Sequence, residues 1–281
     1  MTFNEKVRYR ILADRRPLLT TFADKLAVRG YVESRVGAGV LTELHAVTDA
    51  PETLLRAELP REFAIKPTHA SGACILVGDL APPEAEFPEA TAGWVEALVR
   101  PDRVEWSRLT GLCENWLSRG YSRREWAYRN VPRRILVEEL LDDAGRPPLD
   151  YKIFVFDGRT RMIQVTQDRF ERLVRSQYTP EWERLDVEYG GPGGADVERP
   201  QGLPEMLEIA ERLGAGMDFV RVDLYCLGSR VVFGELTNYP LAGRAAFRPA
   251  EFDRWLGDWW TLPASRGRLG LGGFARSGSH E

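Results

Sequence analysis

Two stretches of this chain are written as β-hairpins, and they impose an antiparallel sheet before any other feature is considered. In the first, LDYKIFVF and RMIQVTQD flank Asp157-Gly158, a dipeptide suited to the positive φ angles of a tight two-residue turn. In the second, FVRVDLYCL and RVVFGEL meet near Gly228. Both hairpins combine β-branched and aromatic residues with a few charges at strand positions. A sheet that carries Lys152, Arg221, Asp223 and Glu235 among apolar neighbours needs a reason to keep them there.

The remaining segments alternate helix and strand signals. Phe22, Leu26 and Tyr31 lie at helical spacing and predict a helix that includes DKLAVRGYVESRV. VLTELHAV reads as a strand, a small helix starts near Pro51, and Phe63 to Ile65 forms the next strand. PTHASGA is turn-rich, CILVGD is a compact strand, and residues 81–93 read as a connector. Trp94, Leu98, Trp106, Leu109, Leu112, Trp116 and Trp126 predict a mostly helical block over 94–130. RILVEELL is a strand, VEYGGPGGADVERP a loop, and Pro204 to Leu213 a helix. The mixture is α+β, and no internal repeat suggests a solenoid. Four parts are expected: an N-terminal region 1–60, a first lobe 61–135, a second lobe 136–263 and a flexible tail 264–281.

With 281 residues and 43% hydrophobic content the chain can bury a large core. Its net charge of −4 argues against a nucleic-acid binder, although Arg119 to Arg134 is locally basic. No apolar run approaches the length of a membrane span, and no signal-like segment follows Met1, so no membrane insertion and a cytoplasmic location are expected. Cys74, Cys113 and Cys226 are odd in number and lack metal-ligand spacing, and His45, His69 and His280 do not make a zinc site unaided.

Only four of the 38 basic residues are lysines, and two of these, Lys66 and Lys152, sit in the apolar runs FAIKP and DYKIFVF. A buried lysine is costly unless something negative meets it. A ligand with several charges, such as a nucleoside triphosphate, is a natural partner. Period-two alternation puts Arg221 and Asp223 on one face of their strand, and Phe233 and Glu235, then Thr237, on one face of the next. Asp223 and Glu235 can therefore approach each other. Either a magnesium ion sits between them with phosphate oxygens completing its shell, or Arg221 neutralises them in a salt bridge.

The loop after Lys66 adds His69, Ser71 and Gly72, with small residues that let backbone N–H groups close over phosphate, though no Walker-type GKS or GKT follows. Asp150 and Lys152 share a strand face. They hold a ribose hydroxyl and a phosphate respectively, or they pair with each other. In LVEELL, Glu138 and Glu139 with Leu140 and Leu141 can present backbone groups to an adenine edge, or simply end a strand. Gln164 and Arg169 can face an acceptor pocket, where the arginine fork suits a carboxylate.

Taken in order, Lys25 in ADKLAVR, Lys66 in FAIKPTHASG, LVEELL, DYKIFVFDG, RVDLY and FGELTNYP resemble the ATP-grasp superfamily, and within it the TupA-like branch associated with teichuronopeptide and other surface-polymer biosynthesis. The resemblance runs from about residue 8 to Pro263. It implies an ATP-grasp fold that holds ATP between two α+β lobes. By position, Lys25 and Lys66 look like phosphate lysines, Glu138 to Leu141 like the adenine-side hinge, and Asp150 like the ribose carboxylate. Asp223 and Glu235 look like ligands of Mg2+, and Arg221 would lie beside the transferred phosphoryl group. The usual ending Glu-x-Asn is altered here: Thr237 stands where the asparagine would be, and Asn238 follows one place later.

The resemblance implies a ligase that joins a carboxylate to an amine through an acyl phosphate, acting on small molecules or on a peptide or polymer precursor. Lys66, Lys152 and Arg221 would stabilise the phosphoryl transfer. No Cys–His pair or Ser–His–Asp series supplies a protein nucleophile. A glycosyltransferase, an ATP-dependent kinase and a non-catalytic nucleotide-binding protein are the alternatives.

Overall fold

A computed structural model describes residues 1–167, 170 and 173–263. Arg169 and the tail 264–281 lie outside the described residues. Three helices open the chain: α1 (Phe3–Ala13), α2 (Pro17–Ala23) and α3 (Ala27–Val36). The single helix expected around DKLAVRGYVESRV is thus interrupted. Asp24 closes α2, and its carboxylate accepts from the backbone N–H groups of Leu26 and Ala27, so α3 starts only at Ala27. At the chain start Thr2 and Glu5 form a reciprocal capping box.

The first sheet comprises β1 (Leu44–Thr48), β2 (Phe63–Pro67), β3 (Cys74–Val77), β4 (Glu96–Val99) and β5 (Ile135–Glu138), in the order β1-β5-β2-β3-β4. Residues 94–130 are not a helical block. Helix α4 covers Trp106–Ser118, whereas Glu96–Val99 runs parallel to β3 as an edge strand. The backbone of EALV pairs with the open edge of β3, and that long-range ladder outweighs the weak helical periodicity there. Only in α4 does the spacing hold: Leu109, Leu112, Cys113 and Trp116 are all fully buried against the sheet.

The second sheet comprises β6 (Asp150–Phe156), β7 (Arg159–Gln167), β8 (Val174–Tyr178), β9 (Arg184–Leu185), β11 (Phe219–Leu227) and β12 (Arg230–Thr237), in the order β12-β11-β6-β7-β8-β9. A short ladder joins β10 (Glu188–Tyr189) to β13 (Phe247–Arg248). Both hairpins form as expected. Asp157 and Gly158 take φ of 47° and 73°, the two left-handed residues of the turn between β6 and β7. Helix α5 (Leu203–Gly214) lays Met206, Ile209, Ala210 and Leu213 on this sheet, and α6 (Glu251–Asp258) packs on α1.

The core of the second sheet is aromatic. Phe3 touches the rings of Phe154, Phe219 and Trp260 at centroid distances of 5.8, 5.1 and 5.8 Å. Beside it Arg10, 1% exposed, donates to Asp218 (2.6 Å) and to the carbonyl of Phe219 (2.8 Å). Asp218 also accepts from Arg16 and from the Trp260 indole, both at 2.6 Å. Buried charge of this kind holds only while every partner is present, so the N-terminal helices are fixed to the start of β11.

Candidate active site

The charged face of the second sheet is laid out by strand register. Gln164, Lys152, Asp223 and Glu235 are successive cross-strand partners on β7, β6, β11 and β12. One face therefore carries a row of four polar side chains across four strands. Lys152 Nζ donates to Asp150 Oδ2 at 2.5 Å and to Asp223 Oδ2 at 2.7 Å. Arg221 grips Asp223 with two donors at 2.7 Å each, then reaches Glu235 at 3.1 Å and the Thr237 hydroxyl at 2.9 Å. Thr237 donates onward to Glu235 at 3.0 Å. The ion pairs and the facing carboxylates weighed as alternatives in the sequence are both present.

Phe233 does not share the face of Glu235. A register shift makes Leu224 the partner of Phe233, and both side chains enter the hydrophobic core. The cause is a bulge at Gly234, where a Cβ would meet the Asp223 carbonyl and the Tyr225 ring at 3.0 Å each. Glycine there lets β12 slip by one residue while keeping Glu235 opposite Asp223.

The first sheet supplies cations to the same place. Lys66 on β2 forms an ion pair with Glu138 on β5. Glu138 also accepts from the Thr42 hydroxyl at 3.2 Å and lies 3.8 Å from Arg29. Lys25 donates to the carbonyl of Ala70 in the small-residue loop. Burial lowers the Lys25 amine, reinforced by Lys66 and opposed by Glu235. Burial also opposes charge on Lys66, but Glu138 and Glu235 outweigh it and raise that amine. The Glu235 carboxylate of the second sheet thus acts on Lys25 and on Lys66 of β2.

Electrostatics separate the two carboxylates. Burial works against the charged form of Glu235, yet Lys25, Arg221 and Lys152 outweigh it and hold its carboxyl at about 2. Burial pushes the Asp223 carboxyl up, with Glu235 and Asp150 adding to it against Arg221 and Lys152. Arg221 is raised: its burial is more than offset by Asp223 and Glu235.

The loop 68–73 is tied down from one side. His69, 2% exposed, has Nε2 3.1 Å from the carbonyl of Arg119, and burial lowers its imidazole below the usual range. Gly72 takes φ of 70°, a left-handed turn position that favours glycine. Ser71 lies beside Tyr121, whose ring centroid is 4.6 Å from that of Tyr128.

Other candidates are placed elsewhere. Glu139 is held by Arg230 at 2.5 and 2.9 Å, a clasp between the two sheets, while its backbone N–H donates to Glu43. Leu140 and Leu141 are half-buried just beyond β5. Gln164 spends its amide on the carbonyl of Tyr189 at 2.9 Å. Asn238 donates to the carbonyl of Leu19 at 2.7 Å, so its amide nitrogen is committed to α2, and Thr237 is the polar group joined to Glu235.

Tyr121, Glu125 and Tyr128 were not marked by the sequence reading. They lie between α4 and β5, Tyr121 and Glu125 on irregular chain and Tyr128 in a short 3₁₀ turn, Trp126–Asn130, too short for periodicity to announce a facing residue. Tyr128 is raised well above its usual value by burial, with Glu235 next. Glu125 is pushed up to about 7 by burial, with Arg244 opposing.

The donor set of Asp223, Glu235 and Thr237 is all oxygen and includes two carboxylates, which fits magnesium completed by phosphate oxygens. Among the described residues there is no cluster of three or more His, Cys, Asp or Glu side chains placed to hold a metal ion by themselves. No helix among them is long and apolar enough to cross a membrane.

A family model described as TupA-like ATPgrasp matches residues 5–261. No curated protein shows a significant match. Among solved structures the chain is similar to the ATP-grasp ligase PsnB complexed with minimal precursor, at 12% identity and TM-score 0.41, over 79% of this chain and 54% of that one. It is similar to D-alanine–D-alanine ligase from Bacillus anthracis at 11% identity and TM-score 0.39, over 78% and 56%. For N5-carboxyaminoimidazole ribonucleotide synthetase from Thermus thermophilus the values are 15% and 0.40, over 80% and 48%. The chain spans about half the length of these solved structures.

Proposed function

The chain belongs to the TupA-like ATP-grasp family and has its α+β fold, and from that premise we propose that it is an ATP- and magnesium-dependent carboxylate–amine ligase. One observation carries the reading. Asp223 and Glu235 face each other in register, with Lys152 and Arg221 on the same sheet and the charges of Lys25 and Lys66 acting on Glu235 from the other side.

Asp223 and Glu235, with Thr237, would hold magnesium, which when bound screens phosphate charge and polarises the phosphoryl group. In this reading Lys25 and Lys66 bind the triphosphate beside the loop 68–73, and Glu138 to Leu141 form the adenine side. Asp150 serves the ribose. A substrate carboxylate oxygen bonds to the γ-phosphorus of ATP as ADP leaves, giving an acyl phosphate. Arg221 and Lys152 stabilise the charge on the transferred oxygens. The acceptor amine then attacks the acyl carbon, loses a proton, and phosphate departs, leaving an amide. Arg169 is kept as the candidate carboxylate clamp. A place in surface-polymer or peptide natural-product biosynthesis follows from the branch resemblance alone.

The test is ATP turnover with magnesium against pooled carboxylates and amines, reading nucleotide products and ligated masses together. Phosphate release with an amide-sized mass gain, lost in Asp223→Asn and Glu235→Gln, is the expected result. Turnover of a sugar nucleotide without ATP binding would overturn it in favour of a glycosyltransferase.

A further inference from the structure

Most acid–base groups around the carboxylate row are already committed. Asp150 and Asp223 hold Lys152, Glu138 holds Lys66, and Glu139 holds Arg230. His69 is 2% exposed, and its Nε2 lies 3.1 Å from the carbonyl of Arg119, so the ring is turned into the protein. Glu125 differs. Its side chain is half-buried, and among the described residues no hydrogen bond or ion pair reaches its carboxylate. The backbone holds it in place: its N–H donates to the Ser122 hydroxyl at 3.1 Å, and its carbonyl accepts from the N–H of Tyr128 at 3.2 Å. Glu125 therefore stands at the head of the 3₁₀ turn Trp126–Asn130.

A run of aromatic rings connects this segment with the loop 68–73. The ring centroids of His69 and Trp94 are 5.7 Å apart, those of Trp94 and Tyr121 6.0 Å, and those of Tyr121 and Tyr128 4.6 Å. Glu125 lies between the last two in sequence, and both tyrosines feel its charge together with that of Glu235. From the chain after β12, Tyr239 and Arg244 interact electrostatically with Glu125, while Arg15 lies over the neighbouring Trp126 ring at 5.4 Å. Burial pushes the Glu125 carboxyl up to about 7, with Arg244 opposing. A carboxylate without a partner beside aromatic faces is suited to hold a cation, and one that changes charge near neutrality is suited to accept its proton.

We propose that Glu125 is the general base of the amide-forming step, taking a proton from an acceptor ammonium seated against the Tyr121 and Tyr128 rings. The inference rests on the ligase reading and names the acceptor class, a primary alkylammonium. In that reading the row's own carboxylates serve magnesium and the lysines, yet a charged acceptor must lose a proton before its nitrogen can attack. One proton passes to Glu125, and the freed lone pair bonds to the acyl carbon. The bond from that carbon to the phosphate oxygen breaks, its electron pair stays on the phosphate, and the phosphate takes the second proton from nitrogen. The amide is left, and Glu125 returns its proton to solvent.

The test supplies the full chain and its Glu125→Gln variant with ATP, magnesium and the pooled carboxylates, and compares methylamine with hydroxylamine as acceptor by product mass. Methylamine is almost wholly protonated at neutral pH and needs a base, whereas hydroxylamine is largely neutral and does not. Glutamine keeps the side-chain volume, and circular dichroism checks that the variant folds. The variant should form methylamide at least about 100-fold more slowly, but hydroxamate within a few-fold of wild type. Methylamide formation by the wild type should rise with pH and level off above about 7, while that of the variant keeps rising with the free amine. Equal loss with both amines, or no loss with either, overturns the base and leaves the ligase standing. No ATP-dependent product from the wild type with either amine overturns the ligase reading, and the base with it.

Discussion

Asp223 and Glu235 stand directly opposite each other on β11 and β12, and a single guanidinium, Arg221, binds both, at 2.7 Å and 3.1 Å. Two carboxylates this close repel unless cations lie beside them. Arg221 is the cation that touches both, with Lys152 on Asp223 alone, and it is 8% exposed. Arg221→Met should therefore cost about 3–5 kcal/mol in the metal-free protein, since it leaves buried charge without its partner. Magnesium should raise the melting temperature of the variant more than that of the wild type. Melts with and without magnesium check this, and equal shifts would mean that the ion does not bind at the carboxylate pair.

Gly234 sets that pairing from the other direction. Its absent Cβ is what allows the bulge, since added carbon would press on the Asp223 carbonyl and the Tyr225 ring. Gly234→Ala should destabilise by about 1–3 kcal/mol, the usual range for forced contacts in packed structure. It should also weaken magnesium-dependent nucleotide binding by shifting Glu235. Urea midpoints and nucleotide titration report the two effects separately, and unchanged nucleotide affinity would show that Glu235 does not depend on the bulge.

What could be read from the residues follows from how local each signal is. The hairpins were legible because Asp157-Gly158 and the alternation in FVRVDLYC act over a few neighbours, and register then carried Asp223 to Glu235. Strand β4 was missed because EALV has no turn signal of its own and forms only by pairing with β3. Phe233 was assigned to the wrong face because one glycine shifts a strict two-residue period. Lys66 was flagged as a costly buried cation, but its partner Glu138 lies 72 positions away in the chain, and no local pattern joins them. Tyr121 lies on irregular chain and Tyr128 in a single 3₁₀ turn, where position depends on long-range contacts.

Lys66 and Glu138 offer a clean separation of binding from stability. Removing the amine in Lys66→Met leaves Glu138 with the Thr42 hydroxyl and Arg29 nearby, so the fold should persist. If Lys66 meets phosphate, nucleotide affinity should fall about 10- to 100-fold, the worth of a charge-assisted hydrogen bond. Glu138→Gln keeps the amine and should leave affinity within a few-fold of wild type by calorimetric titration with ATP and magnesium. Equal losses in both variants would assign Lys66 a purely structural pairing.

Glu125 should give the protein a pH-dependent stability of opposite sign to that of Glu235. Burial raises its carboxyl from 4.5 to about 7, with Arg244 only partly opposing. The folded protein therefore holds this proton to higher pH than the unfolded chain does. Between those two values the unfolded state loses its proton first, so stability is full below pH 4.5 and declines as pH rises towards 7. Glu235 behaves in reverse: its carboxyl, lowered from 4.5 to about 2, contributes above 4.5 and is lost as pH falls through the lower value. Glu125→Gln removes the raised group without removing its volume. The variant should match the wild type near pH 4.5 and exceed it at pH 8 by roughly 1–3 kcal/mol, allowing for the partial exposure of this side chain. Urea unfolding at both pH values measures the gap. A difference that does not change with pH would mean that Glu125 is solvated and titrates like a surface glutamate.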